Sequence, residues 1–175
     1  MELYHRSDYQ NRIAYMKNLS IAANELTGAR VTIPFTALKS LGPKHHAIVL
    51  GINDADGEIW IAELSRRFGY RLVALNQWLD DNKQHLEGLK IVPNTGPRTN
   101  LDVAHSALEE VQKNTDSEIG YDVLFNNCET FADRQITGKT TLSPQVKKAA
   151  QVLGFVIAGG ALVLKRSLTR RFLFF

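Results

Sequence analysis

Cys128, the single cysteine of the chain, stands where an apolar run meets a polar helix start, in Tyr121-Asp122-Val123-Leu124-Phe125-Asn126-Asn127-Cys128-Glu129-Thr130-Phe131. Asn126 or Asn127 can cap a helix there, and Phe131, Gln135 and Ile136 recur at helical spacing toward Gly138, a residue suited to end it. A thiol in the first turn of a helix faces unpaired backbone N–H groups and the positive end of the helix dipole, which favours the nucleophilic thiolate. The plain alternative is a small buried side chain that happens to be cysteine. A cysteine nucleophile needs a base to take or hold its proton, and the base needs a partner to orient it. His45 or His46, with Glu63, are the residue types that could supply both roles. The competing reading makes them a histidine pair ending a surface strand and a solvated carboxylate.

A hairpin must position these residues. His45-His46-Ala47-Ile48-Val49-Leu50-Gly51 reads as a strand, residues 53–57 as a turn and residues 58–64 as the returning strand. Alternation puts His45 on one face with Ala47 and Val49 and His46 on the other with Ile48 and Leu50, so only one of the two can face a given site. Ahead of the hairpin, residues 8–26 read as an amphipathic helix with Ile13, Met16 and Leu19 on one side, ended by Gly28. Residues 30–35 read as a half-buried strand, which Pro34 assigns to a sheet edge. Behind it the pattern gives a strand over 70–74, a short helix over 77–86, a strand over 89–92 and a loop over 93–97. A helix capped by Asn100 follows, on which Leu101, Ala104, Leu108 and Val111 repeat at helical spacing and His105 falls at the surface.

At 175 residues and 44% hydrophobic content the chain can build one domain with a core. The net charge of +3 is mild and the bases are not interleaved with aromatics, which argues against a nucleic-acid partner. A single cysteine excludes an intrachain disulfide and fits a reducing compartment. Met1-Glu2-Leu3-Tyr4-His5-Arg6 has no apolar core, so a secretory signal is not expected. Ser143 and Pro144 start a last unit, within which residues 152–164 are uninterruptedly apolar between Lys147, Lys148 and Lys165, Arg166. A helix over 144–166 would run about 34 Å at ~1.5 Å per residue, against a hydrocarbon core of about 30 Å. The apolar run alone is shorter than the ~20 residues of a straight span, so a buried core helix competes. The flanking bases, Arg170, Arg171 and the final Phe172-Leu173-Phe174-Phe175 favour a membrane anchor.

The histidine strand His45-His46-Ala47-Ile48-Val49-Leu50-Gly51 and the segment Asn127-Cys128-Glu129-Thr130-Phe131 resemble the H-box and the NCEHF box of the lecithin:retinol acyltransferase-like family. That family contains small lipid acyltransferases and phospholipases A and is related to NlpC-type peptidases. The resemblance covers about residues 30–164, with only the two short boxes specific. It implies an α+β, circularly permuted papain-like domain with an antiparallel sheet and a cysteine helix, followed by a C-terminal hydrophobic helix. Residues 1–28 would be a helical extension, residues 29–142 the catalytic domain and residues 143–175 the anchor with its basic tail. Carried over, the nucleophile falls on Cys128 and the base on His45. The third polar member, usually a second histidine, falls on Glu63, and Thr130 replaces the histidine of the family box. The implied activity is a thiol-dependent acyltransferase or phospholipase A acting through a Cys128 acyl-enzyme on membrane phospholipid or another acyl lipid. No cofactor or metal is expected, and the catalytic domain is expected on the cytosolic side of the membrane. The alternatives are a papain-like cysteine peptidase or amidase, and a non-catalytic membrane-tethered interaction protein.

Overall fold

Alternating apolar side chains need a second layer to bury them on each face, and the fold supplies one on both sides of an antiparallel sheet. The computed structural model describes residues 20–34, 44–114, 121–122 and 126–140. Among these, the strands are β1 (Ile21–Ala22), β2 (Arg30–Pro34), β3 (Lys44–Asn53), β4 (Ile59–Ser65), β5 (Gly69–Ala74) and β6 (Lys90–Val92). The helices are α1 (Leu75–Asp81), α2 (Asn100–Asn114) and α3 (Cys128–Thr137), with a 3-10 turn at Lys83–Gly88 after α1. The sheet order is β5-β4-β3-β2-β6, and β1 pairs with the far end of β3. Every pairing is antiparallel, so the described part of the chain is an α+β fold.

β3 is the centre of the sheet, buried along nearly its whole length. Ile48 and Leu50, with Ala62, Leu64 and Leu72, meet Val103, Ala104, Ala107 and Val111 of α2 and Phe131 and Ala132 of α3. Ala47 and Val49 point the other way, with Val31, Ile33, Ile61 and Val73, and Trp78 of α1 covers that face. β3 bends at a register shift between Val49 and Gly51. Gly51 is in a positive-φ conformation, and a Cβ there would lie 2.2 Å from the Ala22 carbonyl oxygen, so β1 can approach only glycine at this point.

The β3–β4 hairpin, β5 and β6 fall where the sequence puts them, while four local readings need correction. The helix assigned to residues 8–26 does not reach its expected end: Ile21 and Ala22 pair with Asn53 and Ile52, and Asn24 folds into a turn by accepting from Leu26 N and bonding Thr27. The rest of that helix lies outside the described residues. β2 is not an edge strand, because β6 pairs with Arg30–Thr32. Pro34 is tolerated because the described pairing with β6 ends at Thr32, leaving it opposite only Lys44 of β3. The helix over 77–86 divides at Asn82, whose side chain donates to the Trp78 carbonyl and is followed by the 3-10 turn. Thr99, not Asn100, caps α2, its Oγ1 accepting from Asp102 N. Leu101 is consequently half exposed, and the buried stripe is Val103, Ala104, Ala107 and Val111. The C-terminal run over 152–164 lies outside the described residues, among which no helix is long and apolar enough to cross a membrane.

Candidate active site

The cysteine helix begins with a cap built by local sequence. Asn127 is extended, and its Oδ1 accepts from Glu129 N and Thr130 N, both at 3.0 Å, while Thr130 Oγ1 accepts from Asn127 N at 2.9 Å. This reciprocal capping box gives Thr130 a structural role at the position where the resembled motif has histidine. Gly138, left-handed at φ 69°, ends the helix. Cys128 therefore sits in the first turn, as its sequence neighbours indicate. Asn127→Ala should lower the unfolding free energy by about 1 kcal/mol, read from the denaturant midpoint at constant m; an unchanged midpoint would show that the cap contributes nothing.

Tertiary contacts then fix α3 against the sheet. Arg30 of β2 pairs with Asp133. Glu110 of α2 takes Arg134 and Gln135 of α3, the latter at 2.6 Å, and also accepts from Tyr70 Oη at 3.1 Å. Tyr70 Oη is also 3.1 Å from Asn126 Oδ1, tying the start of β5 to the residues just ahead of Cys128. The thiol ends up at the N-terminal end of β3, with Cys128 Sγ donating to the Lys44 carbonyl over 3.6 Å.

On the next residue of β3 stands His45, facing the α1 side of the sheet. Its Nε2 bonds Glu63 Oε2, and its ring stacks on Trp78 at 5.9 Å between centroids and 21° between planes. Glu63 is opposite Ala47 on β4 and fully buried, so its charge demands several partners. It has them: His45, Arg71 Nε on the facing position of β5, and Trp78 Nε1 at 2.8 Å. Arg71 continues the chain to Asp81 Oδ2 at 2.9 Å. With Nε2 committed to Glu63, Nδ1 is the ring nitrogen left for the thiol.

The electrostatics follow from this arrangement. Burial of His45 opposes its proton, but its hydrogen bond to Cys128 and the hydrogen bond and charge of Glu63 outweigh that, raising its pKa to about 9. Burial pushes the Glu63 carboxyl up, yet His45 and Arg71 together hold it below the ordinary carboxylate range. At neutral pH the pair is thus imidazolium and carboxylate. His46 is the opposite case: burial first, then the charges of Arg30, His45 and Lys44, lower it to about 3, and it is neutral. It pairs across from Thr32 on the helix-covered face.

The structure brings His45, Glu63 and Cys128 together and turns His46 to the face opposite Glu63. It also adds three residues to which the sequence reading gave no role. Tyr121 places its hydroxyl 3.9 Å from Cys128 Sγ, and burial followed by the Cys128 charge raises the phenol's pKa. Arg71 was accessible by pattern, since a carboxylate on an apolar strand needs a cation and the short turn to β5 sets Arg71 opposite it. Trp78 had no local signal. A groove of about 190 Å³, lined by Ile21, Ala23, Leu50, Leu101, Ala104, His105 and Leu108, includes none of these groups. Among the described residues no cluster of three or more His, Cys, Asp or Glu side chains is placed to hold a metal ion.

Fold and site together define an α+β protein with a buried cysteine, histidine and carboxylate constellation at one end of an antiparallel sheet. No protein-family model matches the chain, and no curated protein or solved structure is found similar to it.

Proposed function

We propose that this chain is a thiol-dependent lipid acyltransferase or phospholipase A, on a circularly permuted papain-like domain of the lecithin:retinol acyltransferase-like kind. One observation carries the reading: a cysteine at a helix N-terminus beside a histidine whose far nitrogen is bound by a buried carboxylate. In this proposal Cys128 sulfur attacks the ester carbonyl of a membrane lipid and its former proton resides on His45. The tetrahedral oxyanion is met by the N–H groups at the start of α3. Collapse breaks the carbon–oxygen bond to the alcohol, which leaves with the proton from His45 Nδ1, and the acyl group remains on Cys128 as a thioester. Neutral His45 then takes a proton from water or from an acceptor alcohol or amine, and that nucleophile releases the acyl group. Water gives phospholipase activity and the other acceptors give transfer.

Glu63 holds the imidazole in the orientation that presents Nδ1 and stabilises its charged form. The substrate comes from the resemblance, and so does membrane attachment through residues 143–175 with the catalytic domain in the cytosol. The amide-cleaving reading shares the thiol chemistry and differs in the bond broken. Phospholipid vesicles and a peptide-amide library, offered to the full chain, separate the two. Release of fatty acid and lysolipid, or of an acylated acceptor, is the expected result; peptide cleavage with no lipid product would replace this reading with the amidase one.

A further inference from the structure

The end of the sheet that carries Cys128 and His45 also carries the β4–β5 turn, Arg66-Arg67-Phe68. In the β3–β4 register Ala47 faces Glu63, so the turn after Ser65 projects from the end at which Lys44 and His45 stand. The turn is built rather than loose. Ser65 Oγ accepts from Phe68 N at 3.0 Å, and Gly69 closes it at φ 68°. This geometry holds Phe68 outward, 41% exposed, with the Arg67 guanidinium 4.7 Å and the Arg71 guanidinium 3.9 Å from its ring centroid. Arg66 and Arg67 are exposed and have no acidic partner among the described residues. Arg66 is close enough for its charge to act on Tyr121, the residue that faces the Cys128 thiol.

An exposed aromatic ring between two bases, on a short hydrogen-bonded turn, suits the boundary of a bilayer: the ring enters the acyl edge while guanidinium groups meet phosphate. We infer that Arg66, Arg67 and Phe68 form the contact by which the catalytic end of the sheet meets a bilayer surface bearing anionic headgroups. The inference rests on the lipid reading above and adds the surface that presents the substrate. The contact also has a path inward, because Phe68 touches Arg71, which binds Glu63, which binds His45.

Phe68→Trp in the full chain tests this locally, with wild type supplying the background of Trp60 and Trp78. The vesicles are phosphatidylcholine alone or mixed with phosphatidylglycerol, their acyl chains brominated to quench tryptophan. Extra quenching in Phe68→Trp is expected on the mixed vesicles, weakened on the neutral ones and by high salt. Adding Arg66→Gln and Arg67→Gln should raise the lipid needed for half quenching about 30-fold, the equivalent of two bases near an anionic surface. Extra quenching absent from both vesicle types would overturn the inference, as would equal quenching on both with no effect of the arginine changes. Where Phe68→Trp does not fold, the double arginine variant with Phe68 intact, sedimented with vesicles of rising phosphatidylglycerol content, gives the answer: parallel curves for variant and wild type would overturn it. The readout is binding, not turnover. A turn that docks in a chain forming no acyl-enzyme would defeat the lipid-hydrolysing reading alone, and the reverse result would defeat this inference alone.

Discussion

His45→Ala is expected to remove lipid ester turnover by at least about 10⁴-fold, whereas His46→Ala should keep most of the turnover of each folded molecule. The two residues are neighbours in sequence, similarly buried, and alike in chemistry. What separates them is the pleat. His45 shares its face with Glu63 and Trp78, which hold its ring, and its pKa of about 9 keeps it charged at neutral pH. His46 points to the face opposite Glu63 and Trp78 and is neutral down to about pH 3. Its removal should instead be read in stability, at about 1 to 3 kcal/mol for a lost buried side chain. The measurement is kcat/KM per folded molecule, with the folded fraction taken from denaturant curves. Equal loss in both variants at equal folded fraction would show that the face assignment is wrong.

Glu63→Gln should slow the reaction by about 10- to 100-fold at pH 8, the size of one hydrogen bond to a charged group, and the loss should be smaller near pH 6. The sign follows from the proton balance. In the wild type the imidazolium persists until pH rises through about 9, so activity that needs it has an alkaline limb there. The amide removes the carboxylate's charge and leaves burial, which disfavours the imidazolium, so the limb should move to lower pH. Stability changes as well, because Arg71 and His45 lose a buried counter-charge, a cost of about 3 kcal/mol. In the wild type, the Glu63 contribution is present above the ordinary carboxylate pKa and lost as pH falls through its depressed value. The His45 contribution is full below about 6.5 and lost as pH rises through about 9. A Glu63→Gln variant with the wild-type alkaline limb and rate would remove Glu63 as the orienting group.

The sequence was readable where local rules and tertiary structure ask for the same thing. The β3–β4 hairpin shows in its alternation and in the turn rich in Asn, Asp and Gly, and that alternation already separated His45 from His46. The cysteine helix shows in its cap and its glycine stop, both local features. The misread places are those decided at long range. Residues 21 and 22 look helical by continuation of a periodic pattern, but β3 offers them a free edge beyond the end of β2. Pro34 points to a sheet edge because nothing local shows that the strand over 89–92 pairs beside it; the three residues of β6 are too short to signal their partner. At the site, Glu63 stands out in the sequence as a carboxylate at the end of the returning hairpin strand, but its full environment is not legible there. Trp78 reaches it from a helix on the covering layer, and Tyr121 approaches Cys128 beside a pairing of Asp122 with Asn126 that no periodicity marks.

In the proposed reaction the sulfur of Cys128 carries an acyl group during turnover. Intact-mass analysis of the full chain, quenched in acid after brief incubation with phospholipid vesicles, tests it directly. The expected spectrum of the wild type shows a fraction of the protein heavier by one acyl group less one hydrogen, released by hydroxylamine, and a Cys128→Ala protein of unchanged mass. Lipid turnover by Cys128→Ala at the wild-type rate, or an acyl adduct that persists in it, would show that Cys128 is not the acyl carrier.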